Sequence, residues 1–129
     1  MRIRLIASEL SVCKVAGYDP SILDKPYCFI GTTPDERSLV CRTEDVPADT
    51  LARDDGWIAF MIEGILNFSL IGILSSIAGV LASAGIGIFA ISTYNTDYIL
   101  VKEESRRKAI AALVDAGYEV VQEPSGKAD

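Results

Sequence analysis

The chain contains no histidine among its 129 residues. That removes the commonest general base, the usual partner of a nucleophilic serine or cysteine, and the commonest metal ligand. No base and nucleophile can be placed together from the residues that remain, so no catalytic residue is assigned and an enzyme is not expected. Cysteine is scarce: Cys13, Cys28 and Cys41 are widely spaced, odd in number and without a metal-ligand pattern. They read as reduced, mostly buried thiols, which implies a cytoplasmic setting and neither a metal nor any other cofactor. Positive charge is also short, with 12 Lys and Arg against 18 Asp and Glu and a net charge of −6. A nucleic-acid backbone or an anionic membrane surface needs clustered Lys and Arg, so neither is an expected partner. The single basic cluster, Arg106-Arg107-Lys108, adjoins Glu103 and Glu104 and reads as a solvated helix face with internal ion pairing. Glu9 and Lys14 interrupt the apolar run that follows Arg2 and Arg4, so a secretion signal is not expected.

What the chain does hold is apolar surface to bury: 50% of its residues are hydrophobic and 23% charged, an ordinary globular make-up. From Gly64 through Thr96 no residue is charged, a stretch long enough to raise the question of a transmembrane helix, which needs about 20 apolar residues. Punctuation divides it. Asn67-Phe68-Ser69 opens a helix with a capping-type residue and Ala84-Gly85-Ile86-Gly87 closes it after about 15 residues. Ile88, Phe89, Ile91, Thr93 and Tyr94 then follow, β-branched or aromatic as a strand prefers. No basic belt flanks the stretch, and no membrane span is expected.

Within that helix Leu70, Ile73, Leu74, Ile77 and Leu81 recur at helical spacing and form one core stripe. Ser75, Ser76, Gly79, Ala82 and Ser83 form a second face of small residues. Small residues permit close approach of another backbone, so this face implies a homodimer or tandem-module packing. The alternative is a merely serine-rich exposed surface.

Residues 3–15 read as one long strand of imperfect alternation, followed by a loop with Gly17, Asp19 and Pro20. Strands over 27–32 and 38–42 form a hairpin through Thr33-Pro34-Asp35-Glu36-Arg37. Residues 43–56 are acidic, hold a proline and form either a short helix with a linker or an irregular connection. The second half is clearer. Strands are predicted over 57–62, 86–94, 98–102 and 118–122, and helices over 69–84 and 105–116, the second with Ile110, Leu113 and Val114 inward and Gly117 as its left-handed cap. That order is βαββαβ, an α+β, ferredoxin-like arrangement with both helices on one face of a four-stranded antiparallel sheet. The polar tail from Pro124 to Asp129 is expected to fray.

Three segments carry a family resemblance. Gly64-Ile-Leu-Asn-Phe-Ser-Leu-Ile-Gly-Ile73 is a strand-to-helix turn with a glycine soon after the helix start, and Leu81-Ala-Ser-Ala-Gly-Ile-Gly-Ile88 is a helix-to-strand step. With Ile91-Ser-Thr-Tyr-Asn-Thr-Asp-Tyr-Ile-Leu-Val101 they resemble the ACT domain of amino-acid-responsive proteins. The last segment is similar to the second hairpin of aspartate kinase regulatory domains. It is more similar still to small stand-alone bacterial proteins with two ACT-like modules, related to the eukaryotic cytosolic arginine sensors called CASTOR. The resemblance implies an ACT domain over 57–123, a degenerate ACT-like module over 1–56 in which no obvious helix follows the first strand, and a flexible tail over 124–129.

A helix N-terminus offers unpaired N–H groups and a positive dipole end, so the amides of Ser69, Leu70, Ile71 and Gly72 can hold a carboxylate, with Gly72 allowing close approach. Asp97, Asn95 and Asn67 can accept hydrogen bonds from an ammonium, and Thr93 can bond either end. The expected ligand is an amino acid or a related small metabolite, and the resemblance agrees, since ACT effectors lie between modules or subunits near this turn and the neighbouring hairpin strand. Ser69 reads equally well as a helix cap alone, and Asn95 and Asp97 as turn formers alone. The expected function is therefore a small-molecule-binding regulatory protein. The alternative is a structural or protein-interaction module without a ligand, associating through the uncharged helix 69–84.

Overall fold

In the computed structural model, which describes residues 2–63 and 72–123, strands and helices follow one another as β1 (Arg2–Leu5), β2 (Leu10–Lys14), β3 (Phe29–Thr32), β4 (Arg37–Arg42), β5 (Ala52–Ile62), α1 (Ile73–Ser83), β6 (Phe89–Ser92), β7 (Asp97–Lys102), α2 (Arg106–Asp115) and β8 (Glu119–Gln122). Short 3-10 turns occupy Pro20–Asp24, Thr43–Asp45 and Glu103–Ser105. Contacts divide the chain into two units, one of Met1–Ala7 with Ile58–Asp129 and one of Ser8–Trp57. This division is discontinuous, unlike a split into 1–56 and 57–123.

In the C-terminal unit the strands lie in the order β6-β7-β5-β1-β8. Alternation along each strand sends Ile3 and Leu5, Ile58, Phe60 and Ile62, and Ile99 and Val101 to one face, where they bury against Ile77 and Leu81 of α1 and Ala109 and Leu113 of α2. Both helices therefore cover the same face, and β5-α1-β6-β7-α2-β8 is the expected βαββαβ order in an α+β, ferredoxin-like unit. The sheet differs from expectation by one strand. β1 lies between β5 and β8, antiparallel to the first and parallel to the second. Ile3 and Leu5 are almost wholly buried, and the ladders to β5 and β8 pair the backbone N–H and C=O groups that go into the interior with them.

Both helices end as their glycines require. The Gly85 and Ile86 amides donate to the Ala82 and Leu81 carbonyls, and those of Gly117 and Tyr118 to Val114 and Leu113. Gly85 and Gly117 have φ of 77° and 99°, so each helix is closed by a left-handed residue that satisfies carbonyls otherwise left without donors. Among the described residues no helix is long and apolar enough to cross a membrane.

The N-terminal unit is an antiparallel sheet in the order β3-β4-β2-β5, entered by β5 through Ala52–Trp57. Its chain order repeats that of the C-terminal unit, with the 3-10 turn Pro20–Asp24 in the place of α1, while Thr43–Asp45 matches the 3-10 turn Glu103–Ser105 and leads to β5 with no counterpart of α2. The hairpins superpose in register at an offset of 60: Phe29 pairs Val40 as Phe89 pairs Leu100, and Thr32 pairs Arg37 as Ser92 pairs Asp97. Leu39, Val40 and Cys41 are buried, as are Ile99, Leu100 and Val101. Cys13, Val15, Ile22, Leu39 and Cys41 form this unit's core, with Cys28, Ile30 and Val46 packed against it.

Four sequence expectations need correction. The strand expected over 3–15 is interrupted between Leu5 and Leu10, where the Ala7 amide turns to the Glu123 carboxylate, 2.9 Å away. β5 begins at Ala52, within the segment expected to be a helix with a linker or irregular, because its residues complete the ladder of β2. The strand expected over 86–94 is confined to Phe89–Ser92, since Ile86 closes α1 and Thr93 opens the following turn. The helix expected from Ser69 starts at Ile73, because Gly72 has a left-handed φ of 87° that no helix continues through. Ser69 itself and the tail over 124–129 lie outside the described residues.

Candidate functional site

The β6–β7 turn is built by its own hydroxyls. Thr93 donates from Oγ1 to the Thr96 carbonyl at 3.0 Å and accepts from the Thr96 amide at 3.3 Å, a local arrangement that threonine favours over an extended ladder. Ser92 Oγ donates to Asp97 Oδ1 at 2.5 Å across the base of the turn. Thr93 and Asp97, both expected in the site, are thus partly engaged in shaping the hairpin. Asn95 is exposed beside them, and Tyr94 at the tip is 90% exposed.

Thr96 anchors this turn. Its buried hydroxyl donates to the Ile62 carbonyl at 2.5 Å, at the end of β5. The turn is thereby held beside the point where the chain leaves the sheet for α1. Thr96 was not among the residues expected from the sequence; the only signal for it was a hydroxyl in a turn that must also meet a neighbouring strand.

Glu63, the next residue, is charge-compensated. It accepts from Arg4 Nε at 2.6 Å and from Arg2 Nη1 at 3.1 Å. Hydrogen bonding from Arg4 first, and then from Arg2, holds its carboxyl below the ordinary glutamate value. Both arginines come from β1, which is how the additional strand reaches the margin of the turn.

Gly72, the remaining described candidate, is exposed and precedes α1 as its cap, with its carbonyl accepting from the Ser76 amide at 2.8 Å. A left-handed residue here admits glycine far more readily than any β-branched or bulky residue. Asn67, Ser69, Leu70 and Ile71 lie outside the described residues. Thr93, Asn95 and Asp97 are thus brought into one turn, and Gly72 opens the helix that follows β5. Among the described residues no group of His, Cys, Asp and Glu is arranged to hold a metal ion.

With this geometry in view, residues 52–115 match the family model of the ACT domain. This chain carries an ACT domain. A structure of a structural-genomics target from Agrobacterium tumefaciens is 29% identical, covers 95% of this chain and 92% of its own, and superposes with a TM-score of 0.84. A protein of unknown function from Vibrio cholerae is 23% identical over 86% of this chain and 85% of its own, with a TM-score of 0.69. The regulatory subunit of aspartate kinase from Thermus thermophilus, in a ligand-free form, is 14% identical over 89% and 96%, with a TM-score of 0.60. The last two likenesses are of fold. No curated protein matches. The ACT match begins at Ala52 and so includes the whole of β5, together with the candidate turn and α2 up to Asp115.

Proposed function

We propose that this protein is a cytoplasmic, non-enzymatic regulatory protein whose ACT domain binds an amino acid or a related small metabolite. The observation that carries the reading is the ACT match across β5, the β6–β7 turn and both helices, in a unit where the Thr96 hydroxyl ties that turn to the end of β5. The carboxylate end of the ligand would meet the amides of Ser69 to Gly72, and its ammonium would meet Asp97, Asn95 and Asn67, with Thr93 bonding either end. Binding would act by favouring one arrangement of modules or subunits, since a ligand shifts an equilibrium only through its differential affinity.

Calorimetric titration of the full chain against the twenty amino acids and related metabolites tests this. One or a few members should bind, and Asp97→Ala should weaken that binding about tenfold or more, while the loss of its bond from Ser92 lowers the melting temperature by only a few degrees and leaves the protein folded. Silence across the panel would count against sensing, and unchanged affinity in the variant would remove Asp97 from the site.

A second reading has its own observation. Ser75, Ser76, Gly79, Ala82 and Ser83 are all exposed on α1, and a broad depression of about 660 Å³ between α1 and α2 is lined by Ser76, Gly79, Ser83 and Ala112. On this reading the helix associates with a protein partner, a second copy included, without a ligand. A stable complex whose affinity ignores every amino acid, and which Gly79→Leu disrupts, would favour it.

A further inference from the structure

The N-terminal unit lacks both helices, and the space beside the Pro20–Asp24 turn is not filled. A cavity of about 420 Å³ lies between the Pro20–Asp24 turn with its preceding loop and the segment that follows β4. Its lining includes apolar surface from Ile22 and Tyr18, charged groups from Asp19 and Lys25 on one side, and Asp45 and Asp49 on the other. That volume and that mixture of apolar surface with a few convergent polar groups are those of a small-molecule site.

Charge narrows the ligand. Three carboxylates against the one ammonium of Lys25 leave the lining at −2. Arg42 donates to Asp45 at 2.8 Å and pairs with Glu44 at 3.0 Å, so one guanidinium is shared between two carboxylates, and with both flanking charges included the acidic excess around the cavity is still two. The Asp45 side chain is only 9% exposed and already accepts from Arg42, so a ligand ammonium would join an existing ion pair where water is largely excluded and charge-assisted bonds are stronger. The carboxylates are not gathered for chelation, since among the described residues no acidic group is arranged to hold a metal ion. The complementary ligand is therefore an extended cation whose charges are separated by a chain that can lie on Ile22 and Tyr18.

We infer that this cavity binds a small linear diammonium compound, independently of the site in the ACT domain. One ammonium meets Asp45, the other meets Asp49 or Asp19, and the methylene chain covers the apolar surface. Lys25 opposes the ligand and sets an upper limit on affinity.

The test is calorimetric titration of the full chain with 1,4-diaminobutane, with butylamine and L-glutamate as controls. The diamine should bind at one site per chain and more tightly than butylamine, and glutamate should give no heat at this site. Asp49→Asn should weaken diamine binding about tenfold, and Lys25→Gln should tighten it several-fold, each with an unchanged melting temperature. Asp97→Ala, in the other unit, should leave diamine binding unaltered. Absence of diamine binding by the folded chain, or insensitivity to both Asp49→Asn and Lys25→Gln, would overturn the inference. Loss of diamine binding in Asp97→Ala would do so too. Amino-acid binding in the wider panel stands or falls separately, because its variant lies in the other unit.

Discussion

At the scale of single residues, Cys41 shows how burial decides chemistry. It lies on β4 with no exposed surface, and burial, reinforced by the neighbouring Cys13 and Cys28 thiols, pushes its pKa up to about 12. The thiolate is the reactive form, so near pH 8 this group is almost wholly protonated and inert. Iodoacetamide should leave Cys41 unmodified in the native protein and alkylate it rapidly in 6 M guanidinium, as peptide mass spectrometry would show; rapid labelling of the native protein would contradict this burial. That all three cysteines are unpaired thiols was legible from their number and spacing. That they share one small core was not, because it depends on β2 and β4 being neighbours. The candidate ligand residues divide in the same way. Thr93, Asn95 and Asp97 stood out by their chemistry and nearness in sequence, whereas Thr96 acquires its role only from Ile62, remote in the chain.

At the scale of elements, α1 combines three demands. Its apolar stripe, read from spacing alone, includes Ile77 and Leu81, both wholly buried, while its small residues face outward. Gly85 and Gly79 on or beside this helix should respond oppositely to alanine. At Gly85 a Cβ meets only Lys108 Nζ at 3.6 Å, an ordinary contact, so the cost is the left-handed φ of 77°, roughly 1–2 kcal/mol. At Gly79 a Cβ meets nothing within 4 Å, and alanine should stabilise the helix by about 0.5–1 kcal/mol. Urea denaturation of the two variants checks both signs; destabilisation by Gly79→Ala would mean that this face is already in contact with another surface. The helix stop was legible because glycine at a helix end has a local cause. The start was misplaced because capping-type Ser69 and left-handed Gly72 both signal a start, and only the backbone chooses between them.

At the scale of the whole molecule, the two units share one plan at an offset of 60 residues, visible in Phe29-Ile-Gly-Thr-Thr33 against Phe89-Ala-Ile-Ser-Thr93. That repeat was available to a sequence comparison of the halves, but it is weak because only the phenylalanine and the last threonine are identical, and Gly31 stands where the second copy has Ile91. The placement of β1 has a testable consequence. The ACT match starts at Ala52, yet Ile3 and Leu5 belong to the core beneath α1 and α2. A chain lacking residues 1–7 should lose cooperative unfolding of its C-terminal unit, because β5 and β8 would each lose a ladder and the core two large side chains, each worth about 2–5 kcal/mol by truncation to alanine. A cooperative thermal transition and native-like amide-exchange protection in 58–122 of the truncated chain would disprove it. The sequence by itself determined the βαββαβ order, the helix-end glycines and the apolar stripe of α1, since each depends on residues within a few positions of one another; in α2 the expected Val114 is 54% exposed and Ala109 is buried with Leu113 instead. Only the tertiary structure decided that the first strand completes the sheet of the C-terminal unit, that Thr96 holds the turn, and that an open cavity stands where the first unit lacks its helices. Those features arise from contacts between residues tens of positions apart, and no local periodicity records them.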